Sequence, residues 1–437
     1  MKKFAALFVL APCLALAQGI GGVAGGMAAP NPGAGLSGEF FRGDFFNYSL
    51  FFNGIWDSGN QTFGGGGSAG GFAVGGAVSL GKSFSDGGSL GLSYHGDFRD
   101  YPGSYQGIGT DQYLGLTYAR RLGHHWAISF AESAGILFYS TPYFGTSAQP
   151  GGGPLTNPYS PTSRFLQSSV YLSYQQTARL SYVVGGSFFL NRFSFEGAPG
   201  STGVTGTASV IYALSRRSSV GGTYSHSYYH YQGGFGQSTI DGGYLNLTHT
   251  LGHWELVASG GATYVRTNGI LRIPQGILVV TPDGQLELVY LLPYNNTSTV
   301  PTVQGAVRRS FGKYGVSFNV GHGVNPGNGA FLTSSHTFAG GSVSHPFGRQ
   351  ALITLNGSYS SLKSIAGQNL ANTYLNQNYN QFFITVSYSR VLARRLSGYI
   401  SYSYNRYGSL ASSRAASDNR IVVGLAFSGK PIPFTFF

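Results

Sequence analysis

His95, Asp97 and Arg99 alternate along LGLSYHGDFRD, so an extended backbone places an imidazole, a carboxylate and a guanidinium on one face. On the wall of a channel such a trio forms a charged constriction; a mutually paired group at a pore mouth is the plainer reading. His226 and His230 in SHSYYHYQ also share a strand face. Two imidazoles can begin a metal site, but structural zinc takes four ligands, and neither a carboxylate nor a third ligand stands beside them. A rim or loop-proximal position is expected instead, with no metal. Parity counted from Val220 turns His226 toward the apolar face, which a bulge at Gly221 and Gly222 would correct. Glu132 raises the same difficulty, because it has the parity of Trp126, Ile128 and Phe130, where an unpaired carboxylate is costly. Either a bulge near Ala131 shifts it, or it marks a protein contact.

Ser68 lies in GGSAG, Gly66 to Gly70, which matches the G-x-S-x-G string of serine hydrolases. That nucleophile needs a sharp turn between a strand and a helix, and here the string sits in a Gly-rich loop. Paired carboxylates, a phosphate loop and zinc-ligand spacing are missing elsewhere in the sequence. The expected chemistry is non-covalent: not an enzyme, no cofactor, no metal.

The elements that must hold these residues are strands. Ile421, Val423, Leu425 and Phe427 point one way, while Arg420, Gly424, Ala426 and Ser428 point the other. The same period sets Leu166, Val170, Leu172 and Tyr174 against Gln167, Ser169, Tyr171 and Ser173. It also sets Ile400, Tyr402 and Tyr404 against Tyr399, Ser401, Ser403 and Asn405. One face is lipid-like; the other is Ser, Thr, Asn, Gln, Gly and Tyr. Charged residues make up only 9% of the chain against 15% aromatic, with 69 Gly. A soluble sandwich keeps charges outside, whereas a nearly uncharged polar face suits a lumen. In a bilayer every backbone polar group must be paired, so spanning strands have to close into a barrel.

Similar short turns punctuate the chain: KSFSDGGS, ARRLGHHW, YQQTARLS, ALSRRSSV, THTLGHWE, RRSFGKYG, SHPFGRQA and SRVLARRLS. These imply hairpins joined by longer Gly-, Pro-, Asn- and Ser-rich loops. Sixteen strands follow from them, and FFNYSLFFNGIW and the final segment Arg420 to Ser428 add one each. The expectation is an all-β fold, an antiparallel transmembrane β-barrel of about 18 strands, within a range of 16 to 20. The insert from Asn268 to Asn296 reads as a further hairpin around Pro282-Asp283-Gly284, standing on the outer rim, folding inward or spanning.

MKKFAALFVLAPCLALAQ has a basic start, an apolar core and Ala15 and Ala17 before Gln18, the pattern of a Sec-type signal cleaved after Ala17. Residues 18–43 read as a Gly- and Ala-rich leader, and 44–437 as the barrel. Cys13 falls within the signal, leaving the mature chain without a thiol.

The net charge of +12 sits largely in the turns. Arg120, Arg121, Arg216, Arg217, Arg308, Arg309, Arg394 and Arg395 would line a periplasmic rim and meet anionic headgroups of outer-membrane lipids, at about 1 kcal/mol per charge. Nucleic acid is not the expected partner. Tyrosine and phenylalanine near segment ends suit the interface girdles of a barrel; Tyr171 and Tyr399, with lumen parity, keep open the alternative of sugar stacking.

The signal segment, strands such as SGYISYSYNRY, Arg-bearing turns such as YSRVLARRLS and the terminal Phe437 together resemble the outer-membrane β-barrel porin families of Gram-negative bacteria. The resemblance implies a pore, an exporter or an adhesion scaffold in the cell outer membrane. It also implies that Phe437 is read by the barrel-assembly machinery. The departure is Pro431 and Pro433, since the closing strand of such families runs unbroken to its terminal aromatic.

The function expected is passive diffusion of small polar, neutral or saccharide-like solutes, with His95, Asp97, Arg99, Tyr171 and Tyr399 as lumen residues. Export of a surface polysaccharide, or a non-conducting adhesin or structural barrel, are the alternatives. A homo-oligomer is compatible with all of them.

Overall fold

The structure, a computed structural model, describes residues 45–58, 68–85, 87–102, 107–138, 162–193, 200–234, 236–280, 286–311, 314–325, 333–348, 350–365, 379–409, 415–430 and 432. The signal segment, the leader, Pro431, Pro433 and Phe437 lie outside them. The strands are β1 (Phe45–Asp57), β2 (Ala69–Ser83), β3 (Ser89–Tyr101), β4 (Gly107–Leu122), β5 (Trp126–Phe138), β6 (Thr162–Gln175), β7 (Leu180–Phe193), β8 (Ser201–Ala213) and β9 (Ser218–Tyr231). They continue as β10 (Gly236–Leu251), β11 (Trp254–Val280), β12 (Leu286–Phe311), β13 (Tyr314–Asn325), β14 (Ser334–Phe347), β15 (Ala351–Ser364), β16 (Tyr379–Ala393), β17 (Leu396–Ser409) and β18 (Ala415–Ser428). Each pairs antiparallel with its neighbours in sequence, and β1 pairs with β18, so an 18-stranded sheet closes on itself. All eight short turns read from the sequence join strands at one end of the barrel, and β1 starts and β18 finishes at that same end. We call it the turn end and the opposite one the loop end.

Alternation decides which way each side chain points. Leu50, Phe52 and Trp56 of β1, Val74 and Val78 of β2, and Val423, Leu425 and Phe427 of β18 are all among the exposed large hydrophobics. Ser49, Asp57, Ser79 and Ala426, at the intervening positions, are buried against the inner wall. An outer surface so apolar is stable against hydrocarbon and not against water. At the turn end it carries an aromatic belt, with Trp126 tilted against Tyr174 at 4.6 Å and Tyr314 stacked on His345 at 4.3 Å.

The closing seam is laced at three levels. At the loop end Arg420 of β18 donates through Nε and Nη2 to Asp57 Oδ2 of β1, at 2.9 and 2.6 Å. At mid-height Tyr399 of β17 lies across Gly424 of β18 and donates its hydroxyl to Asn53 of β1, so one side chain ties three strands. At the turn end Ile432 exchanges two backbone hydrogen bonds with Phe46, each 2.9 Å, offset by one residue from the β1–β18 ladder. The ladder thus runs through Gly429, whose N–H donates to the Tyr48 carbonyl at 2.9 Å, then shifts and resumes once at Ile432, although the prolines suggest that it ends.

The insert 268–296 adds no separate strands. It is the continuation of β11 and β12, paired out to Val280 and Leu286 with one register shift between Arg272 and Ile277. The bulge expected at Gly221 and Gly222 is absent: β9 runs in unbroken register from Ser218 to Tyr231 against β10. The bulge near Ala131 is absent as well, and Glu132 faces outward opposite Leu116 and Ser168.

A Cβ at Gly424 would lie 2.5 Å from Tyr399 Cζ, so this position must stay bare. Gly424→Ala is expected to destabilise the barrel by about 1–3 kcal/mol through overpacking. Gly243→Ala, where an added Cβ meets nothing within 4 Å, should leave it unchanged. Heat-dependent gel mobility of the folded barrel in detergent reads the difference, and equal melting of the two variants would contradict the lacing.

Candidate functional site

The lumen has two chemically different walls. One is charged and is built by β18, β1, β3 and β4. His95, Asp97, Arg99 and Tyr101 follow each other along the inner face of β3, and register places Asp111 of β4 directly beside Asp97. Arg99 reaches both carboxylates, with Nη2 2.9 Å from Asp97 Oδ2 and 2.5 Å from Asp111 Oδ2, and its Nε also bonds Asp97 at 2.9 Å. The Asp111 backbone N–H donates to Asp97 Oδ1 at 3.1 Å, holding the pair in place. His95 stacks on Phe51 of β1 at 5.5 Å. Towards the loop end stands the Asp57–Arg420 pair, with Asp418 two residues away on the same face of β18. On this wall Asp57, Asp97, Asp111 and Asp418 outnumber Arg99, Arg420 and, at the turn end, Arg121, which leaves a small net negative charge beside paired charges.

The other wall, from β6 round to β17, is neutral apart from Glu255 and Arg308, cross-strand partners at its turn end. Its hydroxyls and amides satisfy one another sideways: Thr205 with Ser227 at 2.9 Å, Ser209 with Thr223 at 2.9 Å, Thr263 with Thr302 at 2.9 Å and Gln381 with Asn405 at 2.9 Å. Cross-strand pairs of this kind stiffen the wall and still offer lone pairs and protons to a passing solute.

Tyr171 and Tyr399 do face inward, but they lie flat on the wall. Tyr171 is 8% exposed and packs with Val183 and Ile211; Tyr399 is 9% exposed and packs with Phe51 and Ala426. Each rests over a glycine, Gly185 and Gly424, where a Cβ would collide with the ring. Neither offers an open face for sugar stacking.

Near the loop end the lumen narrows. Thr333, just before β14, reaches the facing wall, where its hydroxyl lies 2.6 Å from Tyr231 of β9, 3.0 Å from Ser238 of β10 and 3.4 Å from Thr267 of β11. Val324 and Ile365, at the tips of β13 and β15, pack against Phe189, Tyr229, Tyr231, Ile240 and Val265. Asn296 of β12 donates to the Ile365 carbonyl. The strand tips β13 to β15 are thus drawn onto the inner faces of β7 to β12.

Other sequence candidates fall elsewhere. His226 and His230 face outward, and His226 Nδ1 is 2.7 Å from Asp241 of the next strand, which also accepts from Tyr224 at 2.8 Å and lies 3.5 Å from Arg266. Among the described residues no group of three histidine, cysteine or carboxylate side chains could hold a metal. Ser68 stands exposed just ahead of β2. Of the turn-end arginines, Arg216, Arg217, Arg394 and Arg395 occupy the turns, Arg120 and Arg309 face outward, and Arg121 and Arg308 face the lumen beside Ala127 and Glu255. Arg309 stacks on Trp254 at 4.4 Å. The partners that sequence reasoning misses are Asp111, Asp57, Arg420 and Thr333. Asp111 was within reach of hairpin register, since β3 and β4 meet through a short connection; the others meet only when the barrel closes.

No family model matches the chain, and no curated protein matches it. Among solved structures it is similar to OccK2 (OpdF) of Pseudomonas aeruginosa, at 14% identity over 89% of this chain and 99% of that one, with a TM-score of 0.44. A BenF-like porin from Pseudomonas fluorescens Pf-5 gives 11% identity over 90% and 100%, TM-score 0.44. OccAB1 of Acinetobacter baumannii gives 13% over 89% and 98%, TM-score 0.42. These values transfer no solute, residue role or assembly to this chain.

Removing Arg99 leaves Asp97 and Asp111 opposed without their cation. Arg99→Gln should raise the cation-to-anion permeability ratio by roughly a fewfold, read as the reversal potential across a bilayer in a KCl gradient. An unchanged or anion-shifted potential would show that this wall does not face the permeation path. Replacing the loop-end contact, Tyr231→Phe with Thr333→Val, removes hydrogen bonds worth about 0.5–1.5 kcal/mol each. Single-channel conductance should rise; an identical value would mean that the narrowest section lies elsewhere.

Proposed function

We propose that the protein is an outer-membrane pore through which small polar, neutral or saccharide-like solutes diffuse passively. One observation carries this reading: the inner face is rich in Ser, Thr, Asn and Gln, and charges toward its loop end are paired, as in Arg99 between Asp97 and Asp111. A solute rich in hydroxyls can exchange its water for such groups without shedding or gaining charge. Among the described residues every strand belongs to the wall, and none crosses the interior. Barrels of 16–18 strands are wide enough to leave an aqueous channel.

The strands are of the length such a membrane needs. They run from the 12 residues of β13 to the 16 of β4 outside the extended pair β11 and β12, against the ~9–11 that a tilted spanning strand requires. In this reading the turn end faces the periplasm and the loop end the exterior, as short and long connections do in such barrels. The turn arginines then meet periplasmic-leaflet headgroups, Phe437 serves as the assembly signal, and transport involves no turnover chemistry.

Liposome swelling tests the proposal. Vesicles carrying the folded protein should swell in isotonic pentose and hexose, more slowly in disaccharide, and more slowly in a sugar-acid anion than in the neutral sugar of equal size. Absence of swelling in every sugar from protein shown to be inserted would replace the pore with a non-conducting scaffold.

A further inference from the structure

On the outward face of the barrel, close to the loop end, Arg164 of β6 and Arg192 of β7 are direct cross-strand partners. Both are exposed. Like charges placed opposite each other on one sheet face repel. The fold does neutralise another outward cation, for Arg266 of β11 has Asp241 at 3.5 Å and Tyr264 beneath its guanidinium at 5.7 Å. Among the described residues Arg164 and Arg192 have no such carboxylate.

The surface running toward the turn end from this pair is apolar. Leu166 and Leu190 are the next outward partners, followed by Phe188 opposite Ser168. Further along, Gly186 of β7 stands opposite Gly206 of β8, with Val184 beyond them. An added Cβ at Gly206 would touch nothing within 4 Å, so the two glycines leave a furrow in the outer wall. From Arg192 to Gly186 is about 20 Å along an extended strand, the reach of a fatty acyl chain.

We infer that Arg164 and Arg192 together bind the phosphate of a lipid in the extracellular leaflet, with its acyl chain lying over Leu166, Leu190 and Phe188 toward the Gly186–Gly206 furrow. The inference rests on the orientation proposed above. Guanidinium groups match phosphate oxygens in a planar, bidentate fashion. Two of them balance a phosphomonoester, with its charge of about −1.5 to −2, better than the single charge of a phosphodiester. The lipid class that fits is therefore one whose headgroup carries a phosphomonoester.

The full barrel in neutral detergent would be titrated with an acylated glucosamine disaccharide bearing phosphomonoesters, and with the same lipid after phosphatase treatment, binding being followed by native mass spectrometry. Wild type should bind the phosphorylated lipid at least about tenfold more tightly than the dephosphorylated one. Arg164→Gln with Arg192→Gln should abolish that preference, and the double Lys variant should keep only part of it. Equal binding of the two lipids by wild type, a comparison that needs no variant to fold, would overturn the inference. Competition by inorganic phosphate at concentrations matching the lipid would overturn it too, by making the site one for a free anion. The readout does not depend on conductance, so a failure here leaves the pore proposal standing, and a silent pore leaves this one standing.

Discussion

The constraint on which everything else depends is that a strand in hydrocarbon has no water to bond its backbone. Every N–H and C=O must find a partner in the sheet, and an edge strand has half of its groups unpaired. Closure of β1 on β18 is therefore obligatory, and the structure reinforces that seam more heavily than a ladder alone requires. Asp57 and Arg420, Tyr399 reaching over Gly424 to Asn53, and the bridge from Ile432 to Phe46 secure its loop end, middle and turn end. Once the cylinder is closed, alternation along each strand sorts the sequence into a lipid face and a lumen face with no further instruction.

The lumen inherits its character from the same sorting. Side chains confined to the inner face of a cylinder meet laterally, so hydroxyls pair with hydroxyls across strands and rings lie over glycines. This is why Tyr171 and Tyr399 act as parts of the wall. The two walls differ because the inward charges toward the loop end are confined to a few neighbouring strands. Arg99 sits between two carboxylates that repel in its absence, a geometry that holds the charged wall rigid and keeps its net field small.

Much of this was legible in the sequence because it is local. Turns such as THTLGHWE and period-two runs such as Ile421 to Phe427 fix strand number, register parity and the side of the termini from residues close together in the chain. The inward placement of His95, Asp97 and Arg99 followed from the same parity. What was not legible is what closure brings together: Arg420 with Asp57, Tyr399 with Asn53, and Thr333 with Tyr231. The expected bulge at Gly221 and Gly222 failed for a related reason. An outward histidine looked unsatisfied from its own strand alone, whereas Asp241 of the next strand bonds it. The insert at 268–296 misled in another way, since two apolar arms around Pro-Asp-Gly suit a separate hairpin as well as an extension of strands already present.

The central claim is that the cylinder encloses a continuous aqueous path lined by neutral polar groups and a weakly negative wall. Recording from the purified, folded barrel in a planar bilayer bathed in KCl tests it most directly. The account predicts stepwise conductance, linear in voltage around zero, with a modest preference for potassium over chloride. A membrane that stays silent with folded protein inserted, or a pore that prefers chloride, would contradict it.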